Sequence, residues 1–208
     1  MARGPENSLA AFETAYDDGA EIIEAGIQLT KDGVYVLMHD TTVDRTTNDR
    51  GAVAEMTLEQ IEQLRLREGL GGGQAAVTDQ QVLTLEEAMQ LARNRGLINL
   101  DKGWLFREQV WQVLTRTGTV HNGLYKSDAP VPEVKDFLAV HKGALYMLMI
   151  TDDNLGAVAA FGDDQPVVYE VNYHSIQDAV ARKPFLDALA RHSRLQQHDV
   201  ERPVRPHD

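Results

Sequence analysis

The sequence predicts an α/β fold built on a mostly parallel sheet. Short apolar runs of strand length alternate with amphipathic stretches of helix length over most of the chain, which is the order that βαβ units produce. Helix-start signals, two capping boxes among them, fall between the apolar runs. Six candidate strands begin near residues 22, 34, 97, 123, 145 and 167. A closed (β/α)8 TIM barrel takes eight strands and about 250 residues, and this chain has 208 residues. No strand pattern precedes Pro5 or follows Leu189. A barrel of this type is therefore expected to be incomplete, with its first and last strands missing or altered.

The elements follow in order. Leu9, Phe12, Ala15 and Tyr16 recur at helical spacing, with Ser8 as N-cap. Strands are predicted at Ile22 to Leu29 and Val34 to His39, joined by Asp32-Gly33, a two-residue hairpin signal. Antiparallel pairing there sets Glu24 and Gly26 across from the region of His39. Asp40 to Val53 reads as loop. Thr57 to Gln60 is a capping box opening a helix to about Glu68, and Gly69 to Thr78, with three consecutive glycines, reads as a flexible surface loop. Thr84 to Glu87 is a second capping box, its helix running to Arg95 with Gly96 at C′. Then come a strand at Leu97 to Asp101, a helix at Phe106 to Thr115 closed by Gly118, and a strand at Gly123 to Lys126. Pro132 suits the first turn of a helix reaching Val140. Leu145 to Ile150 and Val167 to Val171 are strands flanking a helix at Asn154 to Phe161, and a weaker helix spans Ile176 to Leu189. Residues 1–195 are expected to form the barrel domain and 196–208 an irregular tail.

Composition narrows the function. The chain is 43% hydrophobic and 25% charged, which is globular and excludes disorder, collagen and coiled coil. No apolar run approaches the roughly 18 residues that cross a bilayer. Twenty basic against 32 acidic residues give a net charge of -12. Nucleic acid is a poor partner for that surface, since phosphate backbones are neutralised by clustered Lys and Arg. A small phosphate ester held by a few cations is still allowed. With no cysteine, disulfides and thiolate chemistry are excluded. No signal peptide is visible, so the expected location is cytoplasmic as the sequence stands, an upstream signal peptide being the alternative.

Parallel barrels carry their active sites at the C-terminal ends of the strands. Ionisable groups gather there at three places: Glu24 inside the first strand, His39-Asp40 closing the second, and Asp101-Lys102 closing the third. A mid-strand carboxylate is costly to desolvate unless it is paired or metal-bound. His121, His141, His174 and His192 have no partners at ligand spacing and read as surface or packing residues, and Trp104 and Trp111 read as packing. Asp152-Asp153 and Asp163-Asp164 read as solvated loop charges. The three consecutive glycines do not lead into a Lys-Ser/Thr helix start and are no P-loop.

The chain also resembles a family. Arg3-Gly4-Pro5-Glu6-Asn7-Ser8, Gly19-Ala20-Glu21-Ile22-Ile23-Glu24, Leu29-Thr30-Lys31-Asp32-Gly33, His39-Asp40 and Asp44-Arg45-Thr46-Thr47 occur in the order and spacing of glycerophosphodiester phosphodiesterases. Ile98-Asn99-Leu100-Asp101-Lys102 resembles that family's later metal-and-lysine strand. The resemblance covers about residues 3 to 173. It implies a (β/α)8 barrel that hydrolyses glycerophosphodiesters to glycerol 3-phosphate and an alcohol. It implies two histidines as general acid and base, and one divalent cation, Ca2+ or Mg2+, on carboxylates. Carried over, His39 is the catalytic histidine, Glu24 and Asp101 are metal ligands, and Lys102 and Arg3 bind the substrate phosphate. The chemistry suits the parts: a cation and a lysine neutralise the phosphodiester, hard oxygen ligands hold such a cation, and histidine moves the proton.

Three departures stand against the pattern. Ala2 occupies the place of the first histidine, Gly26 that of a further metal ligand, and Gly4 abuts Pro5 without the usual intervening residues. The metal site is then weaker unless Gln28, Glu6 or water substitutes. Read one base out of frame with suitable codons, Gln197 to Pro206 can encode a final strand like the family's, so a frameshift or fragment is expected. The first reading is a metal-dependent phosphodiester hydrolase with a reduced site, acting on a small-molecule diester. The alternative is a degenerate barrel binding a phospho-ligand or a protein partner, or a gene remnant. Open sheet edges predict an oligomer.

Overall fold

A computed structural model describes residues 4–192 of the chain. Arg3, Ala2 before it, and the expected tail at 196–208 with His198 and His207 lie outside the described residues. The chain divides into two compact units, one ending at Tyr125 and the other starting at Lys126.

The first unit opens with α1 (Leu9–Asp17), capped as predicted by the Ser8 hydroxyl, which accepts the Ala11 amide at 3.1 Å. Strands β1 (Ile22–Leu29) and β2 (Tyr35–Leu37) form the predicted antiparallel hairpin, with Ile27 opposite Leu37 and Leu29 opposite Tyr35. The turn differs from the two-residue form. Thr30 pairs with Val34, the Gly33 amide donates to the Thr30 carbonyl, and Gly33 sits at φ 86°. This is a three-residue loop closed by a left-handed residue, a conformation that costs glycine little. Asp32 lies at its tip. It accepts from the Thr30 hydroxyl at 2.7 Å and from the Leu58 amide at 3.0 Å. One carboxylate thus ties the hairpin to the start of α2 (Leu58–Glu62).

The segment between β2 and α3 (Leu85–Ala92) has a small core of its own, in which Val36, Met38, Val43, Val53, Ile61, Leu64, Leu66 and Val82 are buried together. That core explains why α2 stops at Glu62 and not near Glu68. Leu64 and Leu66, two residues apart as on one face of a strand, are both buried in it, and Leu66 bridges Thr47 and exchanges backbone hydrogen bonds with Gln80 and Thr78. The glycine loop is likewise tied down, with the Gly72 amide on the Arg45 carbonyl and the Glu68 amide on the Ala76 carbonyl. Helix α3 ends at Ala92, three residues earlier than predicted. Asn94, at φ 62°, takes the left-handed position expected of Gly96, which packs instead against the Tyr16 ring.

Strand β3 (Leu97–Asp101) runs parallel to β1, pairing Ile22 with Leu97, Glu24 with Asn99 and Gly26 with Asp101. β4 (Gly123–Ser127) continues the parallel set, with Asn99 opposite Leu124. A short 3-10 turn, Gly103–Phe106, follows β3 and leads into α4 (Arg107–Thr117). Trp104 is buried there, edge-on to Tyr125 and under the Arg107 guanidinium, so it packs as predicted.

The second unit holds α5 (Val131–Val140), β5 (Leu145–Ile150), α6 (Ala157–Phe161), β6 (Val168–Val171) and α7 (Lys183–His192). β5 and β6 are parallel, with Met147 opposite Val168 and Ile150 opposite Val171. His141 is buried, stacked on Phe137 with Nδ1 at 3.0 Å from the Phe137 carbonyl, a packing histidine as predicted. The predicted helix from Ile176 divides into a 3-10 turn at Ala179–Ala181 and α7. Asp152, exposed as a loop charge is expected to be, also caps the 3-10 turn: its carboxylate accepts the amides of Ala179 and Val180 at 3.0 and 2.9 Å. Those bonds hold its pKa below the usual range.

Candidate active site

The described residues assigned to chemistry all lie in the first unit, on β1, β3 and the end of the hairpin. His39 follows β2, where the chain bends, and its side chain is exposed. Gly26 brings it to β1. The Met38 amide donates to the Gly26 carbonyl at 2.8 Å, and a Cβ on residue 26 would stand 2.6 Å from the His39 Cα. Only glycine admits so close an approach without displacing one strand.

The carbonyl of His39 collects two side chains. Lys102 Nζ donates to it across 63 residues of sequence, and Gln28 Nε2 donates to it at 3.3 Å. Lys102 reaches this point from a left-handed backbone, φ 64°, at the head of the 3-10 turn. Two of the residues carried over from the resemblance, His39 and Lys102, are therefore neighbours in the fold.

Glu24 is exposed on the sheet. Its partner is Asn99, directly opposite in register, whose Nδ2 donates to Glu24 Oε2 at 2.7 Å. That bond places Glu24 and Asn99 on one face of the sheet, and Asp101, two residues beyond Asn99, shares it. Asn99 Oδ1 is buried with no hydrogen-bond partner. Sequence reasoning missed Asn99, because its role needs the β1–β3 register to be known.

Glu6, Asp40 and Arg45 each stand in the sequence reading, but their meeting beside His39 was not foreseen. Asp40 Oδ1 lies 2.9 Å from His39 Nδ1. Arg45 holds Asp40 by a fork, Nε to Oδ2 at 2.7 Å and Nη2 to Oδ1 at 3.0 Å. Glu6, just before α1, takes a second fork from Arg45, with both bonds at 2.9 Å. The Arg45 bonds, then that from His39, hold Asp40 far below the ordinary carboxylate range, while Glu6 and Asp40 raise Arg45 above its own. The available signal was that Glu6, Asp40 and Arg45 all lie inside the matched segments. Glu6 is thereby held by Arg45, while Gln28 is engaged through its Nε2.

The model of the Glycerophosphoryl diester phosphodiesterase family matches residues 1–200. The chain belongs to that family. A glycerophosphodiester phosphodiesterase of Caldanaerobacter subterraneus is 43% identical over 98 residues, 47% of this chain and 39% of that protein. Human glycerophosphodiester phosphodiesterase 1 is 41% identical over 99 residues, 45% of this chain and 28% of that protein. The chain thus spans well under half the length of these curated relatives. Among solved structures, a Parabacteroides distasonis glycerophosphoryl diester phosphodiesterase superposes with TM-score 0.75 at 24% identity, covering 91% of this chain and 65% of that one. An Oleispira antarctica phosphodiesterase, solved in complex with the product sn-glycerol-3-phosphate, gives TM-score 0.63 at 17% identity, covering 92% of this chain and 77% of that one. The fold is of the (β/α)8-barrel type, with six strands among the described residues. No helix among the described residues is long and apolar enough to cross a membrane.

The phosphodiesterases of this family use a divalent cation. The donors on the Glu24 face suit one in kind, since Glu24 and Asp101 offer hard carboxylate oxygens. They are few. Gly26, opposite Asp101, offers none, and among the described residues no cluster of three His, Asp or Glu side chains is placed to hold an ion.

Proposed function

We propose that this phosphodiesterase-family chain hydrolyses a small phosphodiester of the glycerophosphodiester class. Water adds across one P–O bond, giving glycerol 3-phosphate and an alcohol. The observation that carries the reading is the bond from Lys102 to the main-chain carbonyl of His39, which brings a cation to the residue that bears the imidazole, beside a carboxylate-bearing sheet face. The Oleispira relative's bound product supports the same reaction class.

His39 moves the proton, between its imidazole and the entering water or the departing alcohol oxygen. Lys102 sets positive charge beside the transferring phosphoryl group, where negative charge grows in the transition state. Arg3 is proposed as a second phosphate contact. Glu24 and Asp101 would hold one divalent cation, Ca2+ or Mg2+, which when bound supplies charge neutralisation at the phosphate oxygens. Asn99 orients Glu24 through its amide.

A second reading, a site that binds a phosphorylated ligand without turnover, is favoured by the closed space at Gly26. Hydrolysis of bis-p-nitrophenyl phosphate and glycerophosphocholine, with Ca2+, Mg2+ or EDTA, separates the two. Turnover that falls at least about 10²-fold in His39→Ala supports hydrolysis. Folded protein that binds glycerol 3-phosphate and releases no product from either diester overturns it.

A further inference from the structure

A histidine and the residue after it do not normally share one hydrogen bond in extended chain, because alternation points their side chains apart. Here the chain bends at 39–40, and Asp40 turns back onto the His39 ring. Something must hold a carboxylate in that position, and Arg45 does so. A guanidinium has five N–H donors. In this protein all five are taken: Nε and one Nη2 hydrogen by Asp40, the other Nη2 hydrogen and one of Nη1 by Glu6, and the last by the Leu70 carbonyl at 2.6 Å. The Arg45 carbonyl is held in turn by the Gly72 amide, and the Glu6 amide by the Gly69 carbonyl.

Two conclusions follow from that saturation. Arg45 is the basic residue nearest the imidazole in sequence, yet it has no donor left for a substrate phosphate. Its place is to clamp Asp40. Asp40, ionised by that clamp, is an acceptor only, so a neutral His39 must carry its proton on the nitrogen that faces it.

We propose that Asp40, fixed by Arg45 and Glu6, is a positioning residue that holds neutral His39 as the Nδ1–H tautomer and leaves Nε2 as the nitrogen that exchanges a proton with substrate. The catalytic half of this rests on His39 being the acid/base group of the phosphodiesterase. The structural half does not. Orienting carboxylates of this kind fix both tautomer and ring plane, and their loss costs rate without abolishing binding.

The test is imidazole 15N NMR of the full chain, labelled at histidine, at a pH above the imidazole titration. The His39 signals are assigned by their loss in His39→Gln. The expected result is a protonated Nδ1 and a bare Nε2 in the unmutated protein. In Asp40→Ala a mixture of both tautomers is expected, with kcat for diester hydrolysis about 10²–10³-fold lower and KM changed less than about threefold. Glu6→Gln should move the tautomer ratio in the same direction by less. An Nε2–H tautomer in the unmutated protein overturns the proposal even if every variant misfolds, and so does an unchanged tautomer in folded Asp40→Ala. Should the unmutated protein show Nδ1–H but no turnover, the hydrolase reading fails and the tautomer assignment stands. Turnover together with Nε2–H sinks the positioning role alone.

Discussion

Gly26→Ala is a sharp perturbation of the site, since it adds one methyl group and nothing else. The added carbon would meet three backbone atoms, the His39 Cα at 2.6 Å, the Met38 oxygen at 2.8 Å and the His39 nitrogen at 2.9 Å. None can rotate away as a side-chain end would. Relief requires β1 and the end of the hairpin to part, which stretches the 2.8 Å bond from the Met38 amide to the Gly26 carbonyl and moves the carbonyl that Lys102 and Gln28 share. Overpacking of a tight site costs about 1–3 kcal/mol, and backbone-only contacts place this case at the upper end, about 2–3 kcal/mol. For a chain of this size each kcal/mol moves Tm by about 2–4 °C, so a fall of about 4–12 °C is expected. Thermal unfolding followed by circular dichroism measures it. Gly73→Ala is the control, because a Cβ there meets no atom within 4 Å and its backbone is not left-handed; it should stay within about 0.5 kcal/mol of the parent. A Gly26→Ala protein with parental Tm and parental diester turnover would refute the close-approach argument.

The remaining predictions concern charge. Asn99→Asp sets a carboxylate against Glu24 where an amide now donates at 2.7 Å. Without cation it should lose about 1–2 kcal/mol, and millimolar Ca2+ should restore Tm; a calcium-insensitive melt would count against a cation on this face. Asp32 and Asp152 have pKa values lowered by hydrogen bonds made only in the folded chain, Asp32 chiefly by the Thr30 hydroxyl and Asp152 by the Val180 amide. Their contribution is therefore full above the unfolded carboxylate pKa, near 4, and is lost as pH falls through the lower folded value. Melts between about pH 5 and pH 2 should show a smaller acid loss in Asp32→Asn than in the parent, and an identical pH slope would contradict this. Tyr16, pushed up to about 12 by burial and donating to the Leu97 carbonyl, should titrate late in absorbance together with buried Tyr125 and Tyr146, and Tyr16→Phe should shrink that late step without abolishing it.

What was legible in the sequence was whatever a local signal controls. Ser8, Thr57 and Thr84 cap their helices where they were predicted to, since a cap acts over three residues. Asp32-Gly33 marked the hairpin, although the loop holds three residues. Element ends were lost where distant residues decide them. The helix opened by the capping box at Thr57 is expected to reach Glu68 until Val36 and Val82 offer Leu64 and Leu66 another core, and the segment after Ile176 looks like one helix until Asp152 caps its middle. The site divides in the same way. His39, Lys102, Glu24 and Asp101 were found from type and place in the chain. Their real neighbours were not, because Asn99 depends on strand register and the Glu6–Arg45 fork on a contact 39 residues apart in sequence.

Gly26 and the Asp40 clamp belong to one arrangement. The family pattern leads one to look for a carboxylate at residue 26, and its absence reads in sequence as a loss alone. In the fold the same glycine lets the hairpin close on β1, and that closure brings the His39 carbonyl within reach of Lys102 and Gln28. The far side of His39 is held from outside the sheet, by a fork anchored before α1 and strapped by the glycine loop. The His39 main chain is thus held by Lys102 and Gln28 and its imidazole by Asp40, groups that need no cation. A carboxylate returned to residue 26 would have to open the very contact that sets the histidine in place.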